Sequence, residues 1–327
     1  MSWLSDDAVA RLQVASAIPD FSGTRYRILE RIGAGGMGTV YLGEDSVLGR
    51  RVALKVLDVP DAAGELAARL LREAQILARL EHPGIVPVHD AGSLADGRAF
   101  YAMKFVQGEP LDRHIASVDR LADRLRIFQG ICDAVGFAHA RGVLHRDLKP
   151  ENIMVGPFGE VLVMDWGVAK ILRPEADGRE ERTGESRASS SSGILAKPVR
   201  TAHGIVLGTP GYMAPEQARG ESATLDERAD IFSLGALLQF LLVGSVAPRR
   251  LAAIGQKAVS LDPASRYPSV SDLSQDIARY LDGLPVVAYP ENIFQRSARW
   301  AARYRVAIVL VLTYLLVRAL LLLWTRR

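Results

Sequence analysis

Hydrophobic and polar residues follow two different periods along the chain. Residues 26–56 contain short runs in which apolar and polar positions alternate, and this two-residue period is typical of strands. Residues 65–80 and 121–140 instead carry apolar positions three and four apart, which predicts helices with one buried face. The pattern therefore predicts a strand-rich part followed by a mainly helical part.

A polar octet from His145 to Asn152 lies between two short apolar runs, and this arrangement predicts a loop between buried strands. Loops held on a rigid scaffold often carry catalytic groups. Here Asp147 can orient or deprotonate a hydroxyl, Lys149 can neutralise a phosphoryl group, and Asn152 can hold a metal ion. A predicted strand ending at Asp165 follows, and oxygen ligands on adjacent loops suit Mg²⁺.

This octet resembles the catalytic loop of eukaryotic-type protein kinases, and residues 165–167 resemble their metal-binding Asp-Phe-Gly motif with Trp for Phe. The resemblance covers residues 26–283 and is to bacterial membrane-anchored Hanks-type serine/threonine kinases. It implies an α+β, bilobal fold with a small β-rich lobe at 26–106 and a larger helical lobe at 107–283. The activation loop is expected at 165–216.

Residues 33–40 form a glycine-rich segment between predicted strands, where glycine lets the backbone approach phosphate oxygens. An ordinary glycine-rich hairpin is the alternative. By resemblance this segment covers ATP, Lys55 binds the α- and β-phosphates, and Glu73 pairs with Lys55. A partner for Glu73 on its own helix, Arg69 or Arg72, is the alternative. The residues expected to bind ATP are Ile32, Gly33, Gly35, Gly38, Val40, Ala53, Lys55, Glu73, Met103, Phe105 and Val106.

The resemblance also assigns the chemistry of phosphoryl transfer from ATP to Ser or Thr hydroxyls of proteins. Asp147 would orient the hydroxyl and accept its proton, and Lys149 would stabilise charge on the phosphoryl group. Asn152 and Asp165 would hold Mg²⁺, for which Mn²⁺ is an alternative. The expected cofactors are therefore ATP and a divalent cation.

The segment between the metal motif and residue 204 is rich in Glu, Arg, Ser and Gly, a composition that buries little apolar surface. In the family, Arg146 would clamp a phosphate on this loop. Thr201 is the first candidate for that phosphate, with Ser189–Ser192 as alternatives or as a plain linker. Thr209 together with Lys149 is typical of serine/threonine specificity. Autophosphorylation between two copies of the chain, as a homodimer, is expected.

Three further residues are expected to support the site. Glu216, in the family's Ala-Pro-Glu segment, should pair with Arg266, and Asp230 should anchor the backbone of the catalytic loop. After Gly244 the chain departs from the family, because the helix that helps to dock protein substrates is missing or vestigial.

Composition narrows the function further. The chain has 327 residues, 49% of them hydrophobic, and a net charge of +3. That length suffices for two lobes, and so small a charge argues against nucleic-acid binding. A single cysteine, Cys132, excludes an internal disulfide framework. Residues 1–25 are expected to form an N-terminal extension without a secretion signal.

The C-terminal part predicts a membrane anchor. Residues 284–305 form a basic linker, and residues 306–324 form a nearly uncharged apolar run. A helix of that length spans about 28 Å, close to the thickness of a bilayer core. Arginines before the run place the kinase domain in the cytoplasm, as a single-pass protein of the cell membrane. An amphipathic or dimerising helix is the alternative.

Two other functions compete with a protein kinase. A pseudokinase acting as a scaffold at the membrane is favoured by the shortened region after Gly244 and by Trp166. A small-molecule kinase is disfavoured by the complete segment from Gly208 to Glu216, which in the family receives peptides.

Overall fold

The structure of the chain, a computed structural model, describes its N-terminal lobe, most of its C-terminal lobe and a separate C-terminal helix. The described residues are 18–35, 38–58, 64–167, 169–171, 211–221, 225–244, 247–290 and 304–325. Within them, a β-sheet lobe precedes a helical lobe, so the predicted bilobal α+β fold is confirmed.

An antiparallel sheet of five strands forms the first lobe, in the spatial order β1-β2-β3-β5-β4. Alternation along β3 and β5 gives this sheet two different faces. Val52, Leu54 and Phe100 lie on the outer face, whereas Ala53 and Met103 face the second lobe. The strands are β1 (Tyr26–Gly35), β2 (Gly38–Asp45), β3 (Arg50–Val56), β4 (Val88–Ser93) and β5 (Ala99–Lys104).

The core of the outer sheet face includes a residue from the predicted N-terminal extension. Phe21 is buried, and its ring meets the ring of Phe100 edge to face with centroids 5.0 Å apart. The packed part of the lobe therefore begins at least five residues before Tyr26. Residues 1–17 of the predicted extension lie outside the described residues.

Helix α1 (Glu65–Arg79) covers the inner side of the sheet. Its buried positions Leu70, Ala74 and Leu77 are spaced four and three apart, so they share one face of the helix. Glu73 lies next to that stripe and is also buried. The amphipathic pattern of the sequence thus brings a carboxylate to the inner side of the sheet.

The second lobe is built on two long buried helices. Helix α3 supplies Phe128, Ile131 and Val135 to the main core, and α5 supplies Leu234, Leu238 and Leu241. The described helices of this lobe are α2 (Leu111–His114), α3 (Leu121–Ala140), α4 (Pro215–Ala218), α5 (Arg228–Leu242), α6 (Arg249–Ala258) and α7 (Val270–Leu281).

Short strands and one close helix contact complete the second lobe. Strands β6 (Glu109–Pro110), β8 (Ile153–Val155) and β9 (Val161–Val163) form one small sheet, and β7 (Val143–Leu144) pairs with β10 (Lys170–Ile171). Helices α5 and α6 approach closely at Gly235, where an added Cβ would lie 2.6 Å from the Cβ of Ala258. In the described part of the chain, α6 is the helix that follows α5, and residues 245 and 246 lie outside it.

The segment after α7 packs onto the second lobe. Val286 is buried in the main core, three residues beyond the predicted end of the domain at 283. The fully buried Asp276 accepts hydrogen bonds from the backbone N–H groups of Val287 and Ala288, at 2.7 and 3.0 Å, and from the hydroxyl of Tyr267, at 2.8 Å. Part of the predicted linker therefore belongs to the folded lobe.

Helix α8 (Arg305–Thr325) includes the predicted membrane span. The structure describes side chains of residues 308–318 of this helix, and the apolar ones from Val309 to Val317 are exposed. A search confined to the described residues finds no helix with the length and hydropathy needed to cross a membrane. The transmembrane assignment therefore stays a prediction.

Candidate active site

Strand register brings the predicted ATP-binding residues of the sheet together. Gly33 pairs with Val40, and Val40 pairs with Lys55 on the neighbouring strand. Ala53 pairs with Met103, and both face the second lobe in the main core. Paired residues of antiparallel strands project from the same face. The result is an apolar patch beside a single lysine.

The remaining predicted ATP-binding residues lie around this patch. Ile32 is exposed on β1, and Phe105 and Val106 are half-buried in the connection that follows β5. Gly35 ends β1, while residues 36 and 37 lie outside the described residues. At Gly38 an added Cβ would lie 2.2 Å from the carbonyl oxygen of Val56, so close strand packing itself requires glycine there.

Lys55 lies between two carboxylates. Its Nζ is 2.8 Å from Oε1 of Glu73 and 3.3 Å from Oδ1 of Asp165. Burial disfavours the charged ammonium, but the two carboxylates outweigh burial and raise the pKa of Lys55. Lys55 therefore stays charged, as a phosphate-binding group must. The alternative partners of Glu73, Arg69 and Arg72, are not needed to neutralise it.

The predicted catalytic residues Lys149 and Asn152 both contact the third, Asp147. Lys149 Nζ donates to Oδ2 of Asp147 at 2.8 Å, and both side chains are about one quarter exposed. Asn152 Nδ2 donates to the carbonyl and to Oδ2 of Asp147, at 2.8 and 3.1 Å. Asp147 is thus fixed by two neighbours and remains open to solvent, so a substrate hydroxyl can reach it.

Asn152 and Asp165 are held side by side. The backbone N–H of Met164 donates to the carbonyl of Asn152 at 2.8 Å, which brings the two loops together. The amide hydrogens of Asn152 are directed to Asp147, which leaves Oδ1 with its lone pairs for a cation. The carboxylate of Asp165 is half-exposed. Nearby cations outweigh burial and lower its pKa, so it is ionised at neutral pH.

This donor set fits Mg²⁺, which usually takes few protein oxygens and completes its shell with water and phosphate. Within the described residues, no cluster of three or more His, Cys, Asp or Glu side chains forms a metal site. Asp165 also has a φ of 55°, in the left-handed region that costs non-glycine residues energy. Such strain tends to persist where surrounding structure fixes a functional group.

Asp230 anchors the backbone of the catalytic loop. It is fully buried, and its Oδ2 and Oδ1 accept the backbone N–H groups of His145 and Arg146, each at 2.8 Å. His139 Nε2 lies 2.7 Å from Oδ2. Burial alone would raise the pKa of Asp230, but these donors outweigh it and lower the pKa. The carboxylate is therefore ionised and holds the loop by its backbone N–H groups.

Trp166, which stands where the family has Phe, is buried and packs against the catalytic loop. Its ring centroid is 4.6 Å from that of His145, and its Nε1 donates to the carbonyl of Val163 at 3.3 Å. His145 Nε2 in turn lies 2.9 Å from the carbonyl of Met164. The indole therefore fills the core beside the catalytic loop.

The end of the activation segment is fixed to the second lobe. Arg266 Nη1 and Nη2 bond Oε1 and Oε2 of Glu216 at 2.6 and 2.9 Å, and both residues are buried. Next to Glu216, Gln217 donates to the carbonyl of Arg146 at 2.6 Å. The candidate phosphate acceptors Thr201, Thr209 and Ser189–Ser192 lie outside the described residues.

The sequence interpretation missed three contributors to this site: Tyr101, His139 and Gln217. Tyr101 donates its hydroxyl to Oε1 of Glu73 at 2.9 Å. The register offered a signal for it, because Tyr101 stands two residues before Met103 and therefore faces the same side. His139 and Gln217 act through contacts with residues far along the chain, and no local pattern marked them.

A scan against family models matches residues 26–282 to the protein kinase domain. Among curated proteins, the serine/threonine-protein kinase PknD of Protochlamydia amoebophila is 37% identical over 307 residues, which cover 79% of this chain and 30% of that protein. PknD of Chlamydia trachomatis serovar L2b is 36% identical, over 80% of this chain and 32% of that protein. The chain thus spans about a third of the length of these relatives.

The fold has solved counterparts. The kinase domain of Mycobacterium tuberculosis PknI is 27% identical, with a TM-score of 0.55, and the match covers 78% of this chain and 96% of that domain. The catalytic loop, the lysine–glutamate pair and the family match over residues 26–282 all agree. This chain belongs to the protein kinase domain family.

Proposed function

We propose that the chain is a serine/threonine protein kinase that transfers the γ-phosphoryl group of ATP to protein hydroxyls. The observation that carries this proposal is the grouping of Lys149 and Asn152 around Asp147, to whose Oδ2 both side chains donate a hydrogen bond. The names of the PknD relatives support serine/threonine specificity.

Each of these side chains has a distinct task in the transfer. The Asp147 carboxylate accepts the proton of the attacking hydroxyl, and Lys149, 2.8 Å away, offsets negative charge that builds up beside it. Lys55, kept charged by Glu73, binds phosphate oxygens. Asn152 and Asp165 would hold Mg²⁺, or Mn²⁺ in its place. When bound, the cation neutralises charge on the phosphates.

Mass spectrometry of the full chain and of Asp147→Asn, after incubation with ATP, Mg²⁺ and a serine- and threonine-rich protein, tests the proposal. We expect phosphate in the wild-type reaction and none with the variant. Asp133→Asn is a matched control, because Asp133 is an exposed acid on α3 outside the site. Wild-type protein that binds ATP but transfers no phosphate would contradict the proposal and favour a membrane scaffold.

We further propose that the chain phosphorylates its own activation segment, between two copies in a transient homodimer. Thr201 and Thr209 are the candidate acceptors. Arg146, half-buried beside Asp147, is the candidate clamp for the added phosphate. Mixing wild-type chain with a size-tagged Asp147→Asn chain tests the idea. Phosphate on the tagged inactive copy is the expected result, and phosphate confined to the wild-type copy would contradict transfer between chains.

The membrane location is also a proposal. The apolar sequence of residues 306–324 supports it, as do the exposed side chains from Val309 to Val317. The arginines before this run favour a cytoplasmic kinase domain. Alkaline carbonate extraction of membranes tests it: the full chain should stay in the pellet, and a chain lacking 306–324 should be released. Release of both chains would contradict a membrane anchor.

A further inference from the structure

The hydroxyl of Tyr101 shares a carboxylate oxygen with the ATP-site lysine. Tyr101 and Lys55 are directly paired residues on β5 and β3, so their side chains leave the same face of the sheet. Lys55 Nζ lies 2.8 Å from Oε1 of Glu73, and the Tyr101 hydroxyl donates to the same atom at 2.9 Å. Tyr101 therefore adds a second tie between the sheet and helix α1.

This tie is buried and is not exposed to competing water. Tyr101 and Glu73 are each 2% exposed. Burial and the nearby Glu73 carboxylate raise the pKa of Tyr101 well above its usual value, so the hydroxyl keeps its proton and donates. A hydrogen bond to a charged, desolvated group is among the stronger ones, because water cannot replace it.

The geometry points to Tyr101 as a positioning residue that keeps Glu73, and through it Lys55, in place for the phosphates of ATP. Tyr101 would not touch the reacting atoms. Its hydroxyl holds the carboxylate in a position that Lys55 alone, at the end of a flexible chain, fixes less firmly. This inference rests on the proposed function. Measurements of nucleotide binding test it separately, because they do not require phosphoryl transfer.

The test compares the affinities of full-length wild type and Tyr101→Phe for ATP with Mg²⁺ and for adenosine, by calorimetry. The variant loses one oxygen and keeps the buried ring. We expect ATP to bind about tenfold more weakly, a loss typical of one hydrogen bond to a charged group, and adenosine to bind unchanged. An ATP affinity within about twofold of wild type, or an equal loss for adenosine, would overturn the inference.

Tyr267→Phe is a matched control. Tyr267 is also 2% exposed and donates to a buried carboxylate, that of Asp276, at 2.8 Å, but it lies in the second lobe. Tyr267→Phe should lower the melting temperature and leave the affinities for ATP and for adenosine unchanged. If it weakens ATP binding as much as Tyr101→Phe does, a general loss of stability explains the effect and the inference fails.

A double-mutant cycle provides a second route. In a Glu73→Gln background, Tyr101→Phe should weaken ATP binding by much less than it does in the wild type, because its partner has already changed. An equal effect in both backgrounds would overturn the inference. Tyr101→Met, which also lacks the hydroxyl, replaces Tyr101→Phe if the latter does not fold. Absence of phosphoryl transfer by wild type would reject the kinase proposal and leave these binding results valid.

Discussion

Replacing Asp230 by Asn tests how firmly the catalytic loop depends on one buried carboxylate. Oδ1 accepts Arg146 N–H, and Oδ2 accepts His145 N–H and lies 2.7 Å from His139. An asparagine must place an NH₂ group at one of these positions. In either orientation, a donor then faces a backbone donor beside a fully buried side chain.

The cost follows from the contacts that are lost. A buried N–H without a partner costs about 1–3 kcal/mol, and a hydrogen bond to a charged group contributes about 1.5–3 kcal/mol. We therefore expect Asp230→Asn to lower the free energy of unfolding by about 3–4 kcal/mol. Because the anchored backbone immediately precedes Asp147, kcat should fall as well.

Urea unfolding and initial-rate kinetics of the full chain measure the two effects. Asp276→Asn is the matched control, since Asp276 is also fully buried and also accepts two consecutive backbone N–H groups. It should lose comparable stability and keep the wild-type kcat of the remaining folded protein. A loss below about 1 kcal/mol in Asp230→Asn would refute the reasoning, because it would mean that the site accommodates an extra donor at little cost.

Three further predictions follow from described contacts. Arg266→Met should lower the free energy of unfolding by about 3–5 kcal/mol, because Glu216 is left buried and unpaired. Adding Glu216→Gln should recover part of this loss, and denaturant titration measures both. The pKa of Asp230 is lowered by folding, so its contribution to stability is present above its unfolded pKa of about 3.9 and is lost as pH falls through the lower folded value. Asp230→Asn should therefore flatten the acid side of the curve of unfolding free energy against pH. An unchanged slope in the variant would contradict this prediction. Gly235→Ala should lower the free energy of unfolding by about 1–3 kcal/mol, because the added methyl group pushes α6 away from α5. Gly255→Ala should lower it less, because the added methyl group would meet only side-chain atoms at 3.4 Å or more. Equal melting temperatures of the two variants would contradict this prediction.

The sequence was informative wherever chemistry and spacing are local. Asp147, Lys149 and Asn152 occupy one octet, so their proximity could be predicted without any structure. Strand alternation was equally reliable, because a residue's face follows from its parity along β3 and β5. The bilobal fold followed from these local signals together with the family resemblance.

Long-range contacts were harder to predict. The contact between Asp230 and His139 joins residues on two helices, and only Asp230 was predicted from the sequence. The domain was predicted to end at residue 283, and the family match ends at 282, yet Asp276 also holds the backbone N–H groups of Val287 and Ala288. Because backbone contacts of this kind depend little on residue type, no sequence pattern indicated them.

With α8 as the membrane anchor proposed above, the docked segment after α7 would limit how far the second lobe can lie from that anchor. From Pro290, the last described residue of that segment, fifteen peptide steps lead to Arg305 at the start of α8. Fully extended, they span at most about 50 Å. If the chain left the lobe at Gly283 instead, the connection to Arg305 could span at most about 75 Å. By accepting the backbone N–H groups of Val287 and Ala288, Asp276 would shorten the greatest distance between the lobe and such an anchor by about a third.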